Sequence, residues 1–284
     1  MEEKEEIKEE KKTSKFKKGL FILLLIIGLF FLYIRFVGTY GFDVKEYAVY
    51  SDSLPASFNG FKVIQLSDIH YGSMGKEKLE KIIEDVNNNK PDIVVFTGDL
   101  YDEYSNLTDT NKTDLIEVLN KIEVKVGKYA VSGNHDYSFD GYEQLIEDAG
   151  FTYLNSTSKI IYDDGNTPIE IVGYPSYIKD TPNYDYQVSD YYKIGLIHEP
   201  DAIDSILDKN FDLVLAGHSH GGQVRLPFIG ALYTPPGSKK YYNEYYKVNN
   251  TNLYVSYGLG TVMLPFRYFD RPSYNLFRLY SNIN

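Results

Sequence analysis

The stretch from Phe211 to Gln223 holds an apolar run, Leu213 to Ala216, that stops at Gly217 and is succeeded by two imidazoles, His218 and His220. On a glycine-bounded turn both rings can converge on one cavity. Four more apolar runs lead into groups of the same kind. Val63 to Ser67 runs into Asp68 and His70, and Ile93 to Thr97 into Gly98 and Asp99. Tyr129 to Ser132 runs into Gly133, Asn134, His135 and Asp136, and Ile194 to Ile197 into His198. Sites in open α/β sheets lie outside the carboxyl ends of strands, so these five ends are expected to face one crevice. With no cysteine in the sequence, any metal there must be held by nitrogen and oxygen.

Taken singly, each group also has a plain reading. Asp68 could cap a helix with His70 solvated beside it, Asp99 could start a turn, and Asp102 could cap the next element. Asn134 and Asp136 are ordinary turn residues, and His198 could be a satisfied core histidine. Jointly the balance reverses. The chain has five histidines, and every one lies just past the end of an expected strand, where scattered structural histidines would not segregate.

The elements that must position these groups alternate in the manner of a layered α/β domain. Leu79, Ile82, Ile83 and Val86 fall at helical spacing, so Lys76 to Asn89 is expected to be a helix stopped by Pro91. Leu115, Ile116, Leu119 and Ile122 repeat the pattern, and a third helix is expected from Tyr142 to Ala149. Past Gly150, a hairpin turn at Asp163 to Asn166 joins two short strands. A short helix is expected from Asp201 to Asp208, with late strands at Leu253 to Tyr257 and Asn275 to Tyr280. The tyrosine-rich segments, Tyr174 to Tyr192 and Tyr241 to Tyr246, could shape a pocket or pack a loop. At 284 residues the chain can bury one large core.

The amino-terminal end reads differently. Residues 1–18 form a tail rich in Glu and Lys, and 19–37 an apolar stretch broken only by Arg35, long enough to cross a bilayer. Lysines at 11, 12, 15, 17 and 18 precede it, so the positive-inside rule keeps the tail cytoplasmic and the domain from 38 to 284 outside. A cleaved signal peptide is disfavoured by the absence of an Ala-x-Ala-like site, and a buried core helix by the lysine block.

The ordered set Asp68-x-His70, Gly98-Asp99-x-x-Asp102, Gly133-Asn134-His135-Asp136, His198 and Gly217-His218-x-His220 resembles the signature of the calcineurin-like metallophosphoesterase superfamily. The resemblance covers about Phe61 to Tyr280. Gly221 to Pro227, Gly258 to Gly260, Pro265, Arg267, Arg271 and Pro272 further resemble a membrane-anchored bacterial branch. It implies a two-sheet α/β sandwich flanked by helices. It also implies one metal site of Asp68, His70, Asp99 and His220, and another of Asp99, Asn134, His198 and His218, with Asp99 shared. Such ligands suit Mn²⁺, Zn²⁺ or Fe²⁺, and two ions of this kind would hold a bridging hydroxide for attack at phosphorus. By the same resemblance His135 lies near the leaving group with Asp136 orienting its ring, while Asp102 stands behind them. Arg225, Arg267 and Arg271 are candidates for substrate phosphate, surface ion pairs being equally open to them.

The expected activity is therefore hydrolysis of a phosphodiester or pyrophosphate bond, with a lipid-like substrate suggested by the anchor alone. Rival readings are a metal-binding scaffold without catalysis and a phosphomonoesterase or nuclease of the same superfamily. Nucleic acid is a poor partner. The first eighteen positions take 7 basic and 6 acidic residues of the totals 29 and 40, leaving 22 against 34, and a net negative surface repels a polyanion. No protein partner is expected.

Overall fold

The structure, a computed structural model, describes residues 2–102 and 107–282, with side chains from residue 14 onward. Met1 and the first thirteen side chains of the expected tail, and the last two residues of the expected domain, lie outside them. Helix α1 (Glu2–Leu32) runs through the Glu and Lys block into the apolar stretch and passes into a π-helical turn, Tyr33–Val37. The segment Ser14–Val37 is long and apolar enough to cross a membrane and is almost entirely exposed.

The strands in chain order are β1 (Asp43–Ser51), β2 (Lys62–Leu66), β3 (Ile93–Phe96), β4 (Gly127–Ala130), β5 (Thr152–Tyr153), β6 (Thr157–Ile161) and β7 (Ile169–Gly173). They continue as β8 (Tyr192–Leu196), β9 (Leu213–Ala216), β10 (Arg225–Leu226), β11 (Gly230–Ala231), β12 (Tyr245–Val248), β13 (Thr251–Val255) and β14 (Ser273–Ser281). One six-stranded sheet has the order β1-β14-β2-β3-β4-β5 and the other β12-β13-β9-β8-β7-β6. β2, β3, β4 and β5 are parallel, as are β7, β8, β9 and β13. Every strand that leads to a site residue therefore points its carboxyl end the same way within its sheet.

Both faces of each sheet are covered, which explains why these strands are apolar throughout rather than alternating. Val63, Ile93 and Val95 point between the sheets and meet Ile171, Ile194, Leu196, Leu213 and Leu215 from the other side. Ile64, Leu66, Val94 and Phe96 point outward beneath three helices, α3 (Lys76–Asn88), α4 (Asp109–Asn120) and α5 (Tyr142–Asp148); a single turn, α2 (Tyr71–Met74), precedes them. The helix α4 starts on a capping box of Thr108 and Asn111, satisfying main-chain N–H groups that a helix start leaves without partners. Val172, Val214 and Val255 face outward on the second sheet beneath Ile203, Ile206 and Phe211.

The α/β two-sheet sandwich with flanking helices is the expected architecture. The segment expected as a short helix, Asp201 to Asp208, is instead two 3₁₀ turns, Pro200–Ser205 and Leu207–Lys209. The Asp201 carboxylate there accepts main-chain N–H groups of Lys239, Lys240 and Tyr241, so tertiary contacts override a helical turn. The tyrosine-rich segments pack: Tyr174, Tyr184, Tyr186, Tyr241 and Tyr246 join the outer apolar layer of the second sheet. Leu196→Ala, at the centre of the inter-sheet layer, is expected to cost about 2–5 kcal/mol, read as a lowered Tm, with metal content per folded molecule unchanged.

Candidate metal centre

The five expected strand ends meet. Asp68, His70, Asp99, His198, His218 and His220 are all buried, although they come from two sheets and from positions as far as 150 residues apart. Of three groups of ligand-type atoms among the described residues, two are Asp68 with His70 and His220, and Asp99 with His198 and His218. The Nε2 atoms of His70 and His220 stand 3.1 Å apart, and His220 Nε2 lies 3.3 Å from Asp68 Oδ1. Ligands about 2.1 Å from one cation are separated by about 3.0–3.4 Å, so this spacing is that of a coordination edge. Asp99 Oδ2 faces both groups, 3.7 Å from His70 Nε2 and 3.1 Å from His198 Nε2, while Asn134 Oδ1 lies 3.2 Å from His198 Nε2.

The outer atoms of the rings are tied down. His198 Nδ1 donates to the Thr97 carbonyl at 2.7 Å, and His218 Nε2 donates to the Pro236 carbonyl at 2.7 Å. In its neutral form each ring would then offer its other nitrogen as a lone-pair donor, the usual arrangement behind a metal-binding imidazole. Asp68 accepts from the Ser67 hydroxyl at 2.5 Å and from the His218 main-chain N–H at 3.0 Å. Ser67 in turn accepts from Thr97, which accepts from Gln65, itself held by Asn275. This buried polar chain runs along the strands beneath the site.

The backbone bends sharply to bring these groups inward. Asp68, His70, Asp99, His218 and His220 all adopt left-handed φ, between 43° and 65°, at a cost of about 1–3 kcal/mol each. Two crossings demand glycine. A Cβ on Gly133 would strike Asp99 and His198, and one on Gly217 would strike Ser67 and Asp68.

The electrostatics favour a cation. Burial opposes charge on Asp99, but the neighbouring His198 holds its carboxyl well below the usual range, and Asp99 keeps His198 protonated despite that ring's burial. Burial pushes the His70 and His218 imidazoles down to about 3, so they are neutral ligands. Burial pushes Asp68 up to about 7 against the pull of His198. His70 Nδ1 is buried without a hydrogen-bond partner. Neutral imidazoles and carboxylates with no thiolate fit divalent ions of the Mn²⁺, Zn²⁺ or Fe²⁺ kind.

The flanking residues depart from expectation. His135 packs edge-on against His70 at 5.0 Å between centroids, and both form a third group with Asp102. Asp136 was expected to orient the His135 ring. Its oxygens accept instead the main-chain N–H groups of Asp99 at 2.8 Å, Leu100 at 2.8 Å and Gly133 at 2.7 Å, so it ties two strand-end loops together. The three arginines are engaged within the protein, Arg267 standing 3.4 Å from His220 Nδ1. Arg267 is fully buried and donates to the carbonyls of Tyr257, Gly258 and Gly260 and to Asp270. Arg225 donates to the Gly221 carbonyl and Asn243, and Arg271 pairs with Asp43. Sequence reasoning missed Gln65, Ser67 and Thr97, whose signal was a polar residue inside or closing an apolar strand. A cavity of about 250 Å³ opens over Asp99, Asn134, His135, His218 and His220.

The calcineurin-like phosphoesterase family profile matches residues 61–222, and the chain belongs to that family of metal-dependent phosphoric ester hydrolases, whose members use a dimetal centre. The uncharacterized metallophosphoesterase YkuE of Bacillus subtilis is 35% identical over 286 residues, covering 95% of this chain and 99% of its own length. The phosphodiesterase YaeI of Escherichia coli is 27% identical over 218 residues, 71% of this chain and 76% of that one. A transmembrane protein with a metallophosphoesterase domain from Danio rerio is 31% identical over 241 residues, 78% of this chain but 53% of its own.

Burial pushes the Asp68 carboxyl up to about 7 and the Asp99 carboxylate raises His198 well above the usual imidazole range, so both favour their protonated forms without a cation. Both must deprotonate on binding, so affinity falls on acidification by about tenfold per pH unit for each proton displaced. Metal content after dialysis against a weak chelator should drop steeply as pH is lowered through 7, and a flat profile would contradict this. Arg267→Met leaves Asp270 and three carbonyls without their donor and is expected to cost about 3–5 kcal/mol, measured by thermal unfolding.

Proposed function

We propose that Asp68, His70, Asp99 and His220 hold one divalent cation and that Asp99, Asn134, His198 and His218 hold a second. The observation that carries this reading is the position of the Asp99 carboxylate, which faces imidazoles of both groups at 3.1 and 3.7 Å. Two such ions supply Lewis acidity at the phosphoryl oxygens and a nucleophile from water at neutral pH. Mn²⁺, Zn²⁺ and Fe²⁺ are the ions this donor set favours.

The remaining roles belong to the chain. His135, at the cavity wall beside His70, gives a proton to the departing oxygen. Asp136 serves by fixing the main chain of Asp99 and Gly133, which sets where Asn134 and His135 stand. The cavity of about 250 Å³ has room for a phosphoryl group together with part of the ester attached to it. A phosphodiester or pyrophosphate is the preferred substrate, in keeping with the name phosphodiesterase carried by the Escherichia coli relative.

Residues 1–18 are read as a charged cytoplasmic tail, 19–37 as a membrane-crossing helix and 38–284 as one extracytoplasmic phosphoesterase domain. Support comes from the exposed apolar helix Ser14–Val37, the lysines before it, and the transmembrane designation of the Danio rerio relative. The anchor makes a lipid-like phosphoester the favoured substrate class.

The full chain, stripped with chelator and reloaded with Mn²⁺, is expected to release nitrophenol from bis(p-nitrophenyl) phosphate. His135→Ala should retain its metal while turnover falls by about 10²–10⁴. Asp99→Ala should lose both metal and activity. Failure of the chain to take up any transition metal would end the proposal, and equal turnover of dispersed lipid diesters and soluble ones would remove the lipid assignment.

A further inference from the structure

The end of the apolar helix is not free of the domain. Ile34 is buried, its carbonyl accepts the Arg267 main-chain N–H at 3.0 Å, Phe30 packs edge-on against Tyr268 at 5.1 Å, and Phe31 lies 5.8 Å from Phe266. Residues 20–37 rise about 27 Å as a helix, against about 30 Å of hydrocarbon. A span this short leaves no slack, so Phe30 and Phe31, about 9–10 Å before its end along the axis, must lie within the apolar layer. Whatever touches them lies at that depth as well.

The segments that do so are built for it. Phe266 and Tyr268 belong to a loop whose other apolar members, Met263 and Phe269, are 74% and 66% exposed, and the neighbouring loop between β10 and β11 presents Phe228 fully to its surroundings. Met263, Phe269 and Phe228 all take left-handed φ, from 50° to 67°, which is uncommon for bulky side chains. The strain turns them outward, where they stay largely exposed although Phe269 meets Tyr268 edge-on at 4.7 Å. Arg35, Lys78 and Lys81 edge a hollow at the helix end, at the level where cations meet headgroup phosphates. Met263 also lines the cavity over the metal centre.

Resting on the anchoring proposed for residues 19–37, we propose that residues 226–233 and 262–269 dip into the outer leaflet of the bilayer that holds the helix, so that the cavity mouth opens onto lipid headgroups rather than bulk solvent. The occupant is a lipid bilayer. Exposed apolar side chains on two adjacent loops beside a spanning helix bury area there as an interfacial anchor does. The strand topology agrees: β1 begins at Asp43, six residues after the helix ends, and pairs in parallel with β14 at Ser273, whose N–H donates to Gly258 beside the site. The edge that carries the metal centre is therefore the edge next to the anchor.

The sequence contains no tryptophan, so single replacements report cleanly. Full-length chain carrying Phe269→Trp, Met263→Trp or, as a control on the opposite edge, Tyr162→Trp would be reconstituted into vesicles of phosphatidylcholine and phosphatidylglycerol containing brominated acyl chains. Blue-shifted emission and strong quenching at positions 269 and 263, with the Tyr162→Trp emission unchanged, is the expected result. Chain that floats with the vesicles while positions 269 and 263 remain unquenched would overturn the docking and leave the anchor intact. Chain that fails to float with them would overturn both.

Discussion

Asp99 is held out of water between imidazoles that come from two different sheets, and its charge has to be balanced where it stands. In the protein alone His198, whose hold on a proton Asp99 strengthens, does this, while burial keeps His70 and His218 neutral. A desolvated carboxylate without compensation costs several kcal/mol. The same burial that makes the cluster expensive is what suits it to dications. Loosening the hollow to admit water would relieve the cost and weaken the site together.

Holding that arrangement takes more than the ligands. Asp136 joins the loop after β3 to the loop after β4, Asp68 joins the loop after β2 to the one after β9, and Arg267 fastens the segment after β13 against both. The relay from Asn275 through Gln65 and Thr97 to Ser67 fixes the orientation of Asp68 from below. These groups convert five flexible turns into one rigid wall, and the left-handed φ angles at five of the site residues are the strain that wall must contain.

Much of this was legible in the residues. Strands covered on both faces are apolar without interruption, so β2, β3, β8 and β9 announced themselves, and every histidine lay just beyond such a run. Lys76 to Asn88 was readable because one helical face alone is apolar. β1 escaped because it lies at a sheet edge with its polar residues interleaved, as Asp43, Lys45 and Glu46 are. The role of Asp136 escaped for another reason. Whether a carboxylate meets a ring or a main-chain N–H depends on the path of a loop 36 residues away, and nothing local encodes that. Arg267 reads from the sequence as a candidate for substrate phosphate or for a surface ion pair, because its burial is created by a helix and a loop that meet only in three dimensions.

The position of β14 has a bearing on how the molecule comes into being. It lies between β1 and β2, so the first sheet has a gap between those two strands until residues 273–281 arrive. Gln65 waits for Asn275 across 210 positions. A chain made from its amino end can stack β2, β3 and β4 early, yet the wall behind Asp68 stays open until residues 273–281 pair, and closure over so long a loop is slow. The site is therefore complete only after a pairing between residues 210 positions apart, so its assembly follows that of the strands that carry most of its groups.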